Sequence, residues 1–338
     1  MSCGRKIGVL AAVMAAGTPF AVDATAQRPA LSGRPEGLDL YLPVPPDNPL
    51  RVDVISLGRR LFFDPILSRD SSLACSSCHQ PQRGFTDGRR VSVGVFGRQG
   101  TRNVPAILNR GYGRSFFWDG RITSLEVQVL QPIRAPNEMD LSVDEAVARV
   151  RSDPTYSQRF RSAFSRQANA EDLARALASY IRTIQAGASR FDRLVGGDAS
   201  AMTEVERQGL ALFQGKARCD RCHVGTNLTD ENFHNTGVAW SAGQLHDLGR
   251  FVVSGAEQER GAFKTPTLRE VERTAPYMHD GSIATLEEVI EFYDRGGNAN
   301  PYLDPSLRQL RLTGQEKLAL LAFLRSLSGS IQEGTQRD

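Results

Sequence analysis

Histidine is scarce in this chain: there are five in 338 residues, alongside five methionines, five cysteines and two tryptophans. Every possible strong ligand for a soft or borderline metal can therefore be weighed singly. Charge of one sign is lacking too. Forty-one basic against 38 acidic side chains leave a formal +3, too small an excess to point to nucleic acid or to an anionic membrane, so no nucleic-acid partner is expected. Long apolar runs are absent after residue 26, which excludes a membrane span from the mature chain. Period-2 apolar alternation is also missing, so the fold is expected to be mostly α. With 40% hydrophobic and 23% charged residues, the composition excludes a disordered chain, and the length allows two modest domains.

What is present begins with a secretory pattern. Arg5 and Lys6 precede an apolar stretch from Ile7 to Ala16, and Ala24-Thr25-Ala26 offers a small-residue cleavage site. Gly17, Thr18 and Pro19 break the stretch before it could cross a bilayer. Residues 1–26 thus read as a signal peptide, with export to the periplasm as its consequence. Cys3 leaves with it, and the mature chain keeps Cys75, Cys78, Cys219 and Cys222.

Residues 27–52 hold six prolines and read as an extended lead-in without a core of its own. Two halves then repeat a pattern. Gly58-Arg59-Arg60-Leu61-Phe62 precedes Cys75-Ser76-Ser77-Cys78-His79, and Gly209-Leu210-Ala211-Leu212-Phe213 precedes Cys219-Asp220-Arg221-Cys222-His223. Each half closes on an amphipathic helix, marked by Leu173, Leu177, Ile181 and Ile184 in the first and by Leu318, Leu321 and Leu324 in the second. Thr203 with Glu206, and Thr313 with Glu316, have the spacing of capping boxes. The expected division is a first domain over 53–186, a glycine-containing linker over 187–202 and a second domain over 203–338.

An exported chain with four cysteines would ordinarily suggest two disulfides. Here they form two close pairs, each followed at once by histidine. Covalent attachment of a c-type haem needs two thiols spaced to reach the vinyl groups of one porphyrin and an adjacent imidazole for the iron. Both pairs meet that demand, so two covalently bound haems c are expected, with His79 and His223 as proximal ligands. A zinc site built from both pairs would not require a histidine after each second cysteine, and a reactive thiol pair would call for a thioredoxin-like context. The sixth position on each iron decides the chemistry: a strong ligand makes an electron carrier, a vacant one admits peroxide. No histidine lies between His79 and His223, and Met139 and Met202 are the only methionines in that interval.

Further motifs, in order, are Asn103-Val104-Pro105, Phe117-Trp118-Asp119-Gly120-Arg121, Leu125-Glu126-Val127-Gln128, Pro136-Asn137-Glu138-Met139, Phe263-Lys264-Thr265-Pro266-Thr267-Leu268-Arg269 and Thr274-Ala275-Pro276-Tyr277-Met278-His279-Asp280-Gly281. With the two haem motifs, they make nearly the whole mature chain resemble the bacterial dihaem cytochrome c peroxidases and their MauG-like relatives. The resemblance implies two tandem class I cytochrome c-like domains, each with one haem, the first peroxidatic and the second for electron transfer. It implies that Glu138 is the distal acid/base that moves a proton between the peroxide oxygens, that Gln128 orients the peroxide or a distal water, and that Trp118 lies between the haems as a relay. It implies oxygen ligands from Asn103, Thr274 and Pro276 to a calcium ion, a hard cation suited to carbonyl oxygens.

Two departures place the chain closer to the MauG-like branch. Where the peroxidases carry a distal histidine that blocks the peroxidatic haem, the aligned residue is Val95. Where they carry an axial methionine on the second haem, the aligned residue is Tyr293, with Met278 as the rival ligand. A phenolate favours ferric and higher iron, so both irons are expected to share the two oxidising equivalents of peroxide through Trp118. The expected function is oxidation of a partner, such as a protein side chain, at the expense of hydrogen peroxide. The alternatives are a cytochrome c peroxidase fed by a small cytochrome or cupredoxin, and a plain dihaem electron carrier.

Overall fold

The computed structural model describes residues 33–335, so the signal peptide expected over residues 1–26, with Cys3, lies outside the described residues. Eight helices of six or more residues occur among them: α1 (Val52–Phe63), α2 (Val143–Ser152), α3 (Pro154–Phe164), α4 (Ala170–Arg182), α5 (Arg190–Val195), α6 (Glu204–Gln214), α7 (Leu286–Asp294) and α8 (Gly314–Ser326). The strands are short: β1 (Gln185–Gly187), β2 (Phe233–His234), β3 (Trp240–Ser241), β4 (Gln244–Leu245), β5 (Phe263–Lys264) and β6 (Ser330–Gln332). They pair only as the antiparallel ribbons β1–β6, β2–β5 and β3–β4. No helix of the described residues is long and apolar enough to cross a membrane.

Local chemistry sets the helix starts. Both expected capping boxes form, Thr203 with Glu206 at α6 and Thr313 with Glu316 at α8. Three more arise at Ser142 with Glu145, Ser189 with Asp192 and Thr285 with Glu288. In each, a hydroxyl and a carboxylate satisfy backbone N–H groups that the first helical turn leaves free.

Two hydrophobic clusters follow the repeat. One is built from Val54 to Ala186 and the other from Met202 to Leu327. In each, the first helix crosses the last at a glycine. A Cβ on Gly58 of α1 would collide with the carbonyl oxygen of Ala176 in α4, and one on Gly209 of α6 with that of Ala319 in α8. The shared glycine of the repeat therefore permits the same close helix crossing twice. Gly58→Ala and Gly209→Ala should each destabilise the holoprotein by about 1–3 kcal/mol, the usual cost of overpacking. Gly314→Ala, in open space at the start of α8, should not. Thermal denaturation of the three variants checks this, and equal midpoints would mean that the crossings relax freely.

Three features depart from the sequence reading. Leu318 is 64% exposed although Leu321 and Leu324 are buried with Leu320 and Phe323. A three-residue repeat drifts round a helix of 3.6 residues per turn, so Leu318 has left the core-facing stripe. The stretch expected as a linker begins on the last residue of β1 and contains α5. It is anchored by a buried ion pair, Asp192 with Arg269 at 2.8 Å, each side chain 2% exposed. Residues 27–32 of the proline-rich lead-in lie outside the described residues; residues 33–51 lack helix and strand, yet they are pinned to both halves. Leu38 and Asn48 are buried, Arg269 donates to the Gly37 carbonyl, and Asn48 Nδ2 donates to Glu126 and to the Arg175 carbonyl.

Candidate active site

Cys75–Cys78 forms a single helical turn with His79 at its end, and Cys219–Arg221 a 3-10 turn that leads into Cys222 and His223. Three-residue spacing on such a turn brings both thiols to one side. All four cysteines are half-buried and unbridged. Each histidine is fixed identically: His79 Nδ1 lies 3.0 Å from the Phe85 carbonyl oxygen and His223 Nδ1 3.0 Å from that of Leu228. That bond assigns the proton to Nδ1 and leaves the Nε2 lone pair for a metal. Burial keeps both imidazoles below their ordinary pKa, hence neutral and able to ligate.

The thiols do not suit redox exchange. Burial pushes Cys75 up to about 12, Cys78 to about 11 and Cys219 to about 12, whereas a reactive thiol needs a depressed pKa. Zinc held by both pairs is not formed either. The one metal-compatible His/Cys/Asp/Glu group among the described residues is Cys222, Asp230 and His234, which leaves out the first pair.

A cavity of about 930 Å³ joins the two motifs, lined by Cys78 and His79 from one and by Cys219, Cys222 and His223 from the other. Its chemistry and lining fit two haems: paired thiols, a free imidazole nitrogen at each pair, and mostly apolar walls. Trp118, Gln128, Glu138, Met278, Tyr293, Asn103, Thr274 and Pro276 all line it as well. Val95 does not. It is buried, and its backbone N–H donates to the Glu138 carbonyl at 2.8 Å. The neighbouring Gly94 packs so tightly on the backbone of Asn137 and Glu138 that a Cβ would clash. The Gly94-Val95 segment thus positions the backbone that carries Glu138. Met139 and Met202, the two methionines between the histidines, are buried in separate hydrophobic clusters and are not part of the cavity wall.

Burial raises the Glu138 carboxyl above its ordinary range, with Arg121 opposing, and its charge acts in turn on Cys75 and Cys78. The Trp118 indole donates to the Asn103 carbonyl at 2.9 Å, and Lys264 N–H donates to the Trp118 carbonyl at 2.8 Å, so the tryptophan is tied to both halves. Asn103 Nδ2 donates to the Arg89 carbonyl, and its Oδ1 makes no hydrogen bond among the described residues. Tyr293, near the end of α7, makes none through its hydroxyl. Burial pushes its phenol pKa up, and the Cys219 and Cys222 thiols act in the same direction, which sets the ring beside the second pair.

Two contacts at the cavity wall are not readable from the sequence. Arg102 bridges Asp119 of the first half, at 2.7 Å, to Asp247 of the second, with contacts of 2.7 and 2.9 Å. His279 stacks on Phe263 with centroids 3.5 Å apart and planes 12° apart, and burial pushes its pKa down to about 4. The Arg102–Asp247 pairing crosses the two halves and the His279–Phe263 stack joins residues 16 apart, so neither leaves a local pattern in the chain.

Two cysteine pairs, each with a neutral imidazole and opening on one cavity, define a c-type cytochrome with two haem sites. The family model described as di-haem cytochrome c peroxidase matches residues 53–200. The methylamine utilization protein MauG of Methylorubrum extorquens is 40% identical over 296 residues, covering 87% of this chain and 82% of that one. The cytochrome c551 peroxidase of Nitrosomonas europaea is 34% identical over 290 residues, covering 85% and 83%. Among solved structures, a MauG-like protein associated with microbial copper homeostasis superposes with a TM-score of 0.79 at 36% identity, covering 90% of this chain and 95% of that one. The chain belongs to the dihaem cytochrome c peroxidase and MauG family. It is accordingly a haem peroxidase-type oxidoreductase, with covalently bound haem c and hydrogen peroxide as substrate.

Proposed function

We propose that this protein is a MauG-like periplasmic enzyme of two class I cytochrome c-like domains that oxidises a partner protein side chain with hydrogen peroxide. The observation that carries the reading is Tyr293, whose unbonded hydroxyl belongs to the same cavity wall as Cys219, Cys222 and His223. Bound haem iron supplies the redox chemistry that breaks the peroxide O–O bond. Glu138 takes the proton from the near peroxide oxygen and delivers it to the far one, so that the latter departs as water. The Gln128 amide orients the peroxide. Trp118 stands in the wall shared by both sites and relays electrons between them. Tyr293 would ligate the second iron through its phenol oxygen. Asn103, Thr274 and Pro276 offer oxygens to a calcium ion at the same cavity, a role that the free Asn103 Oδ1 suits.

The ferric protein should show one high-spin and one low-spin haem by electron paramagnetic resonance, because Val95 cannot ligate and Tyr293 can. Two low-spin signals of equal weight would overturn the open first site. Fast turnover sustained by a small soluble cytochrome or cupredoxin would instead favour peroxide detoxification.

A further inference from the structure

Lys264 is the buried cation whose charge the described residues leave least answered. It sits in β5, is 9% exposed, and lines the cavity between the two haem motifs. Its ammonium approaches Glu231 Oε1 at 3.7 Å, too long for a hydrogen bond. That carboxylate is already engaged: Arg110 Nη1 donates to Oε1 at 2.6 Å and the Arg114 N–H to Oε2 at 2.5 Å. Two buried cations thus share one carboxylate. Other cations on the same wall are answered in full, the half-buried Arg102 by Asp119 and Asp247, and the buried Arg269 by Asp192. A buried charge without a partner is strongly disfavoured, so a partner is called for. Consistent with this, burial and the nearby Arg110 push the Lys264 ammonium down to about 7.

The cavity's occupant carries carboxylates of its own, the haem propionates. β5 belongs to the second half, where it pairs with β2. Just beyond β5, Pro266 and Thr267 line the same cavity as His223. We propose that Lys264, backed by Arg110, holds a propionate of the haem attached at Cys219 and Cys222, beside Trp118, and thereby sets that haem's reduction potential. Lys264 is then a positioning residue. It orients the haem edge that faces Trp118, and it offsets a negative charge that would otherwise favour ferric iron. The inference rests on family membership and not on Tyr293 as a ligand, so it stands if the MauG-like reading fails.

The test uses the holoprotein, with Lys264→Gln and Lys264→Arg beside wild type. Spectroelectrochemical titration of Lys264→Gln should show the second haem's potential lowered by at least tenfold in its reduction equilibrium, about 59 mV for one electron. The first haem should move less. Lys264→Arg, which keeps the charge, should restore the wild-type value. Resonance Raman spectra should show the propionate bending band of the second haem shifted in Lys264→Gln and not in Lys264→Arg. Potentials unchanged within twofold would overturn the proposal, as would equal shifts at both haems. Lower thermal stability with unshifted potentials and an unshifted Raman band would also overturn it, leaving Lys264 a structural partner of Glu231.

Discussion

Glu138→Gln should leave both haems attached and slow the reaction with hydrogen peroxide by at least ~100-fold, the scale of a lost general acid/base. The substitution keeps the shape of the side chain and the backbone bond from Val95 to the Glu138 carbonyl, so the cavity wall persists. What it removes is the capacity to take a proton from one oxygen and return it to the other. Stopped-flow absorbance against peroxide concentration measures the effect, and unchanged kinetics would make Glu138 a bystander. The pH profile gives a second check. Burial raises the Glu138 carboxyl, and the residue must be ionised to accept the first proton. The wild-type rate should therefore fall as the pH drops through a midpoint above the ordinary carboxyl range, and Glu138→Gln should lose that limb.

The parts of the site that the sequence displays are those whose chemistry is local. A cysteine pair and its histidine occupy five consecutive residues, and a capping box occupies four, so spacing alone specifies them. The paired glycines at Gly58 and Gly209 were visible as a repeat, but their purpose depends on Ala176 and Ala319, more than a hundred residues further along. Arg102, His279 and Lys264 show the same limit. Lys264 and His279 stand within quoted motifs and Arg102 beside one, but what each does appears only when the fold brings Glu231, Phe263 or Asp247 to it. Val95 shows a different one. The family resemblance implies a missing ligand at this position, whereas its packing shows a backbone donor that helps to hold Glu138 in place. The glycines at 187, 196 and 197 mark the linker in the sequence, but nothing local shows that Asp192 and Arg269, 77 residues apart, pin it.

Tyr293 decides between the two enzymatic readings. If its phenolate ligates the second iron, Tyr293→Met should raise that haem's reduction potential, because a thioether favours ferrous iron and an anionic oxygen favours ferric. A shift of at least tenfold in the reduction equilibrium, about 59 mV for one electron, is expected. Tyr293→Phe should instead vacate the position and turn the second haem high-spin, since the wild-type hydroxyl has no other partner among the described residues. The phenol is held protonated by burial in the absence of a metal, and ligation to iron is what would remove the proton. Either variant should still meet peroxide at the first haem, where Glu138 and Gln128 are untouched. The second haem should no longer hold an oxidising equivalent, and oxidation of the partner protein should fail while peroxide is still consumed. Spectroelectrochemical titration and rapid mixing with peroxide would measure both effects. If neither variant changed the second haem's spectrum or potential, Tyr293 would be a packed aromatic. Met278, on the same cavity wall, would become the ligand to test, and the peroxidase reading would then move ahead of the MauG-like one.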